Sequence, residues 1–249
     1  MSASLSIALA QTASIAGDVC ANIEKHLAAA RQAAAAGAQA VIFPELSLTG
    51  YEPGLVTDLA FTPDDPRLQP LRDAAAALNV VLVVGAPLRH ASSKPQIAVW
   101  WLSPSGDARI QTKQYLHSGE EQAFSVGGIP APFSLASHTL ALAICADTTH
   151  AEHAAYAAQW QPGLYIASSM ISEGGYAKDT AQLRDYALRH HMAVALVNHG
   201  AATGGWAAAG RSAVWDEQGA LIAATPGPGE FLLLLQRDPA WRGEVHALV

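Results

Sequence analysis

A cysteine closes one of the most apolar runs in this chain. Leu140-Ala-Leu-Ala-Ile-Cys145 reads as a buried strand, and the chain turns polar at once in Ala146-Asp-Thr-Thr-His150. The carboxyl ends of buried strands line the active crevice of α/β proteins, so a thiol there is a candidate nucleophile. The plain alternative is a small core hydrophobe, which is how most free cysteines behave. Two more residues stand in the same relation to apolar strands. Glu45 follows the run at 40–43, and Lys113 follows the run at 108–112. Singly, each reads as a solvated charge. As a set they meet a mechanistic need. A cysteine attacks as its thiolate, a carboxylate takes the thiol proton, and an ammonium lowers the thiol pKa and stabilises a developing oxyanion.

The elements that must position these groups alternate between strand and helix. Residues 5–10 read as a buried strand, and Asp18 as the N-cap of a helix over 22–36. Ile23, Leu27, Ala30 and Ala34 share one face of that helix, and Gly37 stops it. Strands follow at 40–43 and 80–85, with a helix at 68–78 between them. Residues 97–102 and 108–112 form a hairpin around Ser103-Pro-Ser-Gly-Asp107. A long polar loop over 113–130 has the length of a functional loop. Beyond Cys145 the pattern gives a helix at 152–159, a strand at 164–167, a helix at 178–191 and a strand at 193–197. The tail gives strands at 213–216, 221–224 and 231–235, the first two joined by a turn at Gln218-Gly219. The class is α/β with mixed sheets, and residues 1–249 read as one domain.

Composition narrows the function. Of 249 residues, 51% are apolar and 14% charged, so a sizeable core is available. A net charge of -7 argues against a nucleic-acid partner. Cys20 and Cys145 lie far apart, which suits a reducing compartment rather than a disulfide framework. Met1 to Gln11 carries no secretory pattern, and no apolar run approaches the ~20 residues of a membrane span, so a cytoplasmic location is expected.

Other residues carry weaker signals. His150-Ala-Glu-His153 offers ligand types, but not the four-residue spacing of a helical zinc pair. No metal and no organic cofactor is expected. Tyr51, Ser168, Ser169 and Met170 are candidate pocket residues, and Arg184 and Arg211 candidate carboxylate clamps. Asp147 and Glu152 are read as acceptors for backbone amides. Of Trp100 and Trp101, one belongs to the core and the other to an interface, because neighbours on a strand face opposite sides. Cys20 is read as packing. The Gly174-Gly175 and Gly204-Gly205 pairs are read as flexible loops near the site.

Phe43-Pro-Glu-Leu-Ser-Leu-Thr-Gly-Tyr51, Lys113-Gln-Tyr-Leu-His-Ser-Gly-Glu-Glu-Gln-Ala-Phe124, Ile144-Cys-Ala-Asp-Thr-Thr-His-Ala-Glu152 and Gly210-Arg-Ser-Ala-Val-Trp-Asp-Glu-Gln-Gly219 follow one another along nearly the whole chain. In these stretches the sequence resembles the nitrilase superfamily of carbon–nitrogen hydrolases. The resemblance implies an α-β-β-α sandwich, paired with a second subunit as a homodimer or higher homo-oligomer. It implies Cys145 as nucleophile and Glu45 as general base. Lys113 and the backbone N–H of Ala146 become the oxyanion partners. It also implies a second glutamate: Glu120, which stands four before Phe124, or alternatively Glu121, by its spacing from Lys113.

The pattern departs from the family at Ala146, at His150-Ala151, at Gln111-Thr112 and at Ala208-Ala209, where the family usually carries other residues. The implied substrate is a small-molecule carboxamide or N-carbamoyl compound, cleaved through a thioester. Nitrile hydrolysis, acyl transfer to an amine, and a non-catalytic binding protein that kept the fold are the alternatives.

Overall fold

Strand β1 (Leu5–Gln11) shows how the layers are built. Its side chains alternate between two environments, as the period of a strand requires. Leu5, Ile7 and Leu9 enter a core shared by two sheets. Ala8 and Ala10 lie under helices. The computed structural model describes residues 4–90 and 94–249, so the first three residues of the stretch read for a leader lie outside it.

In chain order, α1 (Val19–Ala35), β2 (Ala40–Ile42), a short α2 (Val56–Leu59) and α3 (Gln69–Leu78) come next. They are followed by β3 (Val81–Leu88), β4 (Gln96–Leu102), β5 (Ala108–Thr112), β6 (Phe133–Leu135) and β7 (His138–Ile144). After α4 (Ala151–Ala158) come β8 (Leu164–Ser169), α5 (Tyr176–His190) and β9 (Ala193–Asn198). The last strands are β10 (Ala213–Trp215), β11 (Leu221–Ala224), β12 (Phe231–Arg237) and β13 (Trp241–Ala247).

The first sheet runs β13-β12-β1-β2-β3-β4-β5 and the second β11-β10-β9-β8-β7-β6. Each has a parallel heart: β1, β2 and β3 in one, and β7, β8 and β9 in the other. Antiparallel strands flank both, so the sheets are mixed, as the hairpins imply. Helices α1 and α3 cover the outer face of the first sheet, and α4 and α5 that of the second. The result is a four-layer α-β-β-α sandwich with its main core between the sheets.

Most expected elements appear, shifted by a few residues at their ends. Asp18 caps α1 by accepting from the Ala21 N–H at 3.0 Å, and Gly37 takes φ +82° just past its end. Strands β6 and β13 were not anticipated. The first is only three residues long, and the second is an edge strand whose apolar pattern is interrupted in sequence by Arg242, Gly243 and Glu244. The expectation for the tryptophan pair is corrected. Trp100 packs under the helices and Trp101 stacks on Phe133 between the sheets, so both are core. Cys20 is also corrected: it is exposed on α1 rather than packed. Among the described residues no helix is long and apolar enough to cross a membrane.

Candidate active site

Lys113 and Cys145 follow directly on β5 and β7, Glu45 stands three residues past β2, and the sandwich brings them together. Lys113 is the hub. Its Nζ donates to Glu45 Oε1 and to Glu120 Oε1, each at 2.8 Å, with all three side chains sealed from solvent. An ammonium has three N–H donors, so one remains for a further acceptor. Glu120 also accepts from the Tyr51 hydroxyl at 2.7 Å, and its Oε2 accepts from the His117 N–H at 2.7 Å. Between the two glutamates that sequence left open, Glu120 is the one inside; Glu121 is exposed.

Cys145 sits where β7 breaks into a 3-10 turn (Cys145–Thr149). Its φ of +46° lies in the left-handed region, which L-residues avoid at a cost of about 1–3 kcal/mol. Asp147 holds that turn. Its Oδ2 accepts from the Ile144 N–H at 3.0 Å, and its Oδ1 accepts from the N–H groups of Gln114 and Tyr115 at 3.0 and 2.8 Å. The expectation that Asp147 serves backbone amides is met; Glu152 is exposed on α4. The Cys145 thiol donates to the Met170 carbonyl at 3.7 Å. Ala146 lies in the first turn of the 3-10 segment, where backbone N–H groups have no partner inside the helix.

The Glu45 loop is clamped from three sides. Leu48 N–H donates to the Gly85 carbonyl at 2.9 Å, and a Cβ at Gly85 would stand 2.5 Å from Leu46 N, so only glycine lets the loop lie this close to β3. Ser168 Oγ donates to the Phe43 carbonyl at 2.8 Å, and the His199 ring Nε2 lies 2.6 Å from the Glu45 carbonyl. From α1, His26 stacks on Phe43 with ring centroids 3.9 Å apart and meets Ser47 Oγ at 2.9 Å.

Electrostatics follow from burial. Burial pushes the Glu45 carboxyl above its ordinary pKa, opposed by Lys113. Burial also pushes the Cys145 thiol well up, with Glu45 adding to it and Lys113 working against it. Lys113 is pulled down by burial, but the charges of Glu45, Cys145 and Glu120 outweigh that and raise it. The site therefore rests with a neutral thiol beside an ion-paired lysine. Glu45 Oε2 has no hydrogen-bond partner among the described residues, while the carboxylate as a whole interacts with the Cys145 thiol.

A cavity of about 460 Å³ opens over this cluster. Tyr51, Glu120, Cys145, Ala146 and Met170 line it, with Trp206, Lys178 and Asp179 among its other walls. Glu45 and Lys113 lie behind the wall, fully buried. Ser169 is a correction: it is buried at the end of β8, outside the cavity lining. Ser168 likewise supports the Glu45 loop instead of lining the pocket. Arg184 donates to the Gly219 carbonyl and Arg211 pairs with Glu173, so neither reaches the cavity. Gly175 does line it, whereas Gly204 is packed hard against the Tyr51 carbonyl. His150 stacks on Tyr115, and His153 meets the Tyr165 hydroxyl at 2.9 Å.

Sequence reasoning passed over His26, His199, Lys178 and Trp206. His26 sits on a helix face and His199 just past a strand, where an isolated histidine carries no local signal; Lys178 opens α5 and Trp206 follows Gly204-Gly205, and neither belongs to a chemical motif.

Known proteins share this arrangement of layers. An amidase from Nesterenkonia sp. superposes with a TM-score of 0.87 at 24% identity, over 95% of this chain and 91% of that one. A variant of the amidase from Nesterenkonia sp. AN1 in complex with butyramide superposes with a TM-score of 0.85 at 24% identity, over 92% and 89%. At that identity the likeness is one of fold. Among curated proteins, the glutamine-dependent NAD(+) synthetase of Rhodobacter capsulatus is 32% identical over 153 residues, 58% of this chain and 27% of that protein. The Mycobacterium tuberculosis (H37Rv) enzyme of the same description is 43% identical over 76 residues, 30% and 11% respectively. The match thus spans less than a third of either synthetase. The family model described as carbon-nitrogen hydrolase matches residues 6–245, and the chain belongs to that family.

Proposed function

We propose that this protein hydrolyses the carbon–nitrogen bond of small carboxamides through a Cys145 thioester. The observation that carries the reading is the buried cluster in which Cys145 and Glu120 line one cavity and Glu45 and Lys113 stand directly behind them. Glu45 accepts the thiol proton at its unoccupied Oε2 as Sγ attacks the amide carbon. A standing thiolate is not required, because the thiol is neutral at rest and the base lies beside it. The oxyanion takes the third N–H of Lys113 and the N–H of Ala146. Glu45 returns its proton to the departing nitrogen, ammonia leaves, and a thioester remains. Glu45 then deprotonates a water that attacks the thioester and restores the thiol. Glu120 and Tyr51 keep the lysine in place throughout. No step calls on a metal or an organic cofactor.

The amide class is favoured over nitriles because the cluster supplies a proton to a leaving amine directly. Within amides, Lys178 and Asp179 at the cavity wall favour a substrate whose far end is polar or charged. The glutamine of the partial relatives' description has such an end, and the butyramide bound to the amidase from Nesterenkonia sp. AN1 supplies the apolar comparison. Ammonia release tests the reading. The panel holds butyramide, butyronitrile, glutamine, glutaramate and N-carbamoyl amino acids, with Cys145→Ala as the control. Amides should release ammonia only with the intact cysteine, and butyronitrile should release none. A folded protein inert to every amide, or a Cys145→Ala variant as active as its parent, overturns the reading.

A further inference from the structure

His199 is buried without any exposed surface, one residue past β9 in the second sheet, yet its ring reaches Glu45 in the loop that follows β2 of the first. Its Nε2 lies 2.6 Å from the Glu45 backbone carbonyl, and its Nδ1 has no partner among the described residues. A carbonyl only accepts, so Nε2 carries the proton. Burial lowers the imidazole pKa to about 4, so the ring is neutral at pH 7 and spends its single N–H on that bond.

The histidine's own backbone is fixed. The His199 N–H donates to Asn198 Oδ1 at 3.0 Å, and Asn198 Nδ2 donates to the carbonyls of Ile171 and Gly210. Gly200 N–H donates to the Thr12 carbonyl at 2.9 Å. On the receiving side the chain is strained: Leu46, the next residue after Glu45, holds φ +51° while fully buried. A left-handed leucine persists only where its surroundings over-determine it. The carbonyl just before it is where the opposite sheet supplies a donor.

We propose that His199 is a positioning residue for Glu45: its Nε2–H, offered across the sandwich, fixes the turn that aims Glu45 Oε2 at the Cys145 thiol. The inference rests on the reading of Glu45 as the base. It differs from the holds made by Ser168 and His26, which act on Phe43 and Ser47 to either side of the carboxylate-bearing residue.

The test reads the proton transfer without requiring turnover. In a Cys20→Ser background, which removes the exposed thiol, Cys145 is alkylated with iodoacetamide at pH 7 and the rate is followed by mass. His199→Gln ends in an amide N–H at the place of Nε2, whereas His199→Leu has similar bulk and no donor. Alkylation should be within about threefold of the parent in His199→Gln and at least tenfold slower in His199→Leu. On an amide substrate the same loss should fall on kcat, with KM unchanged. If His199→Leu does not fold, His199→Asn, whose donor stops one atom short, takes its place with the same expected loss. Equal rates in His199→Gln and in the variant that cannot reach the carbonyl, whether both fast or both slow, overturn the proposal. Glu45→Gln is run in parallel. Should its alkylation match the parent's, the reading of Glu45 as base fails instead, and the two failures are told apart.

Discussion

Asp147 Oδ1 accepts the Tyr115 backbone N–H at 2.8 Å, and this bond ties the lysine's loop to the cysteine's turn. The same carboxylate holds Gln114 and Ile144, so one buried side chain sets the separation of Lys113 from Cys145. Replacing Asp147 by Ala leaves one buried and two half-buried N–H groups without an acceptor. Each unmet buried group costs about 1–3 kcal/mol, and partial rehydration leaves an expected loss of about 3 kcal/mol. Urea unfolding measures that loss, and kcat should fall with it even where the protein is fully folded.

The strain at Cys145 is separable from its chemistry. Both Cys145→Ala and Cys145→Gly remove the sulfur, so both should be inactive. Only glycine relieves φ +46°. Cys145→Gly is expected to be about 1 kcal/mol more stable than Cys145→Ala in denaturant titrations. Equal stabilities would show that the turn carries no strain.

Activity should fall on the acid side as Glu45 takes up a proton. Burial raises that carboxyl, so the acid limb of kcat/KM is displaced above the ordinary carboxylate value of ~4.3. Glu45→Gln should lower kcat by about 10²–10⁴ across the range. It should remain folded, since the amide oxygen still accepts from Lys113.

Lys113→Met leaves two carboxylates sealed from water without a counter-charge. Breaking a buried pair in this way costs about 3–5 kcal/mol. The loss should depend on pH with a definite sign. Without the lysine nothing opposes the burial that raises the Glu45 carboxyl, so its folded pKa stands above the unfolded one and the native state gains stability as pH falls through that window. Unfolding titrations at pH 5 and pH 8 should place the variant closer to the parent at pH 5. Its kcat should be about 10²–10³ lower or beyond detection.

The two adjacent glutamates make a direct comparison. Glu120 Oε1 accepts from both Lys113 and Tyr51. The Glu121 carboxylate is exposed and accepts from the Gly119 N–H. Glu120→Gln should reduce kcat/KM by at least tenfold, and Glu121→Gln should leave it within twofold in the same amidase assay.

The sequence by itself determined the alternation of strands and helices, because side-chain period and capping are local. Leu5, Ile7 and Leu9 against Ala8 and Ala10 already state which residues face away from each other. It also placed Glu45, Lys113 and Cys145 just beyond strands; that they meet was decided by the packing of the two sheets, since β2 and β5 belong to the first and β7 to the second. Tertiary structure decided the rest. That Glu120 and not Glu121 faces Lys113 depends on the 3-10 turn at Glu120–Gln122, where a rotation of one residue exchanges inside for outside. That Trp101 is core depends on Phe133, more than thirty residues away on the second sheet. Ser169 fell outside the cavity because a strand end offers its side chains to opposite faces, and only the packing says which face is open. His199 was invisible for the same reason: its bond to Glu45 spans 154 positions of sequence, and no local pattern marks a histidine that serves the other sheet.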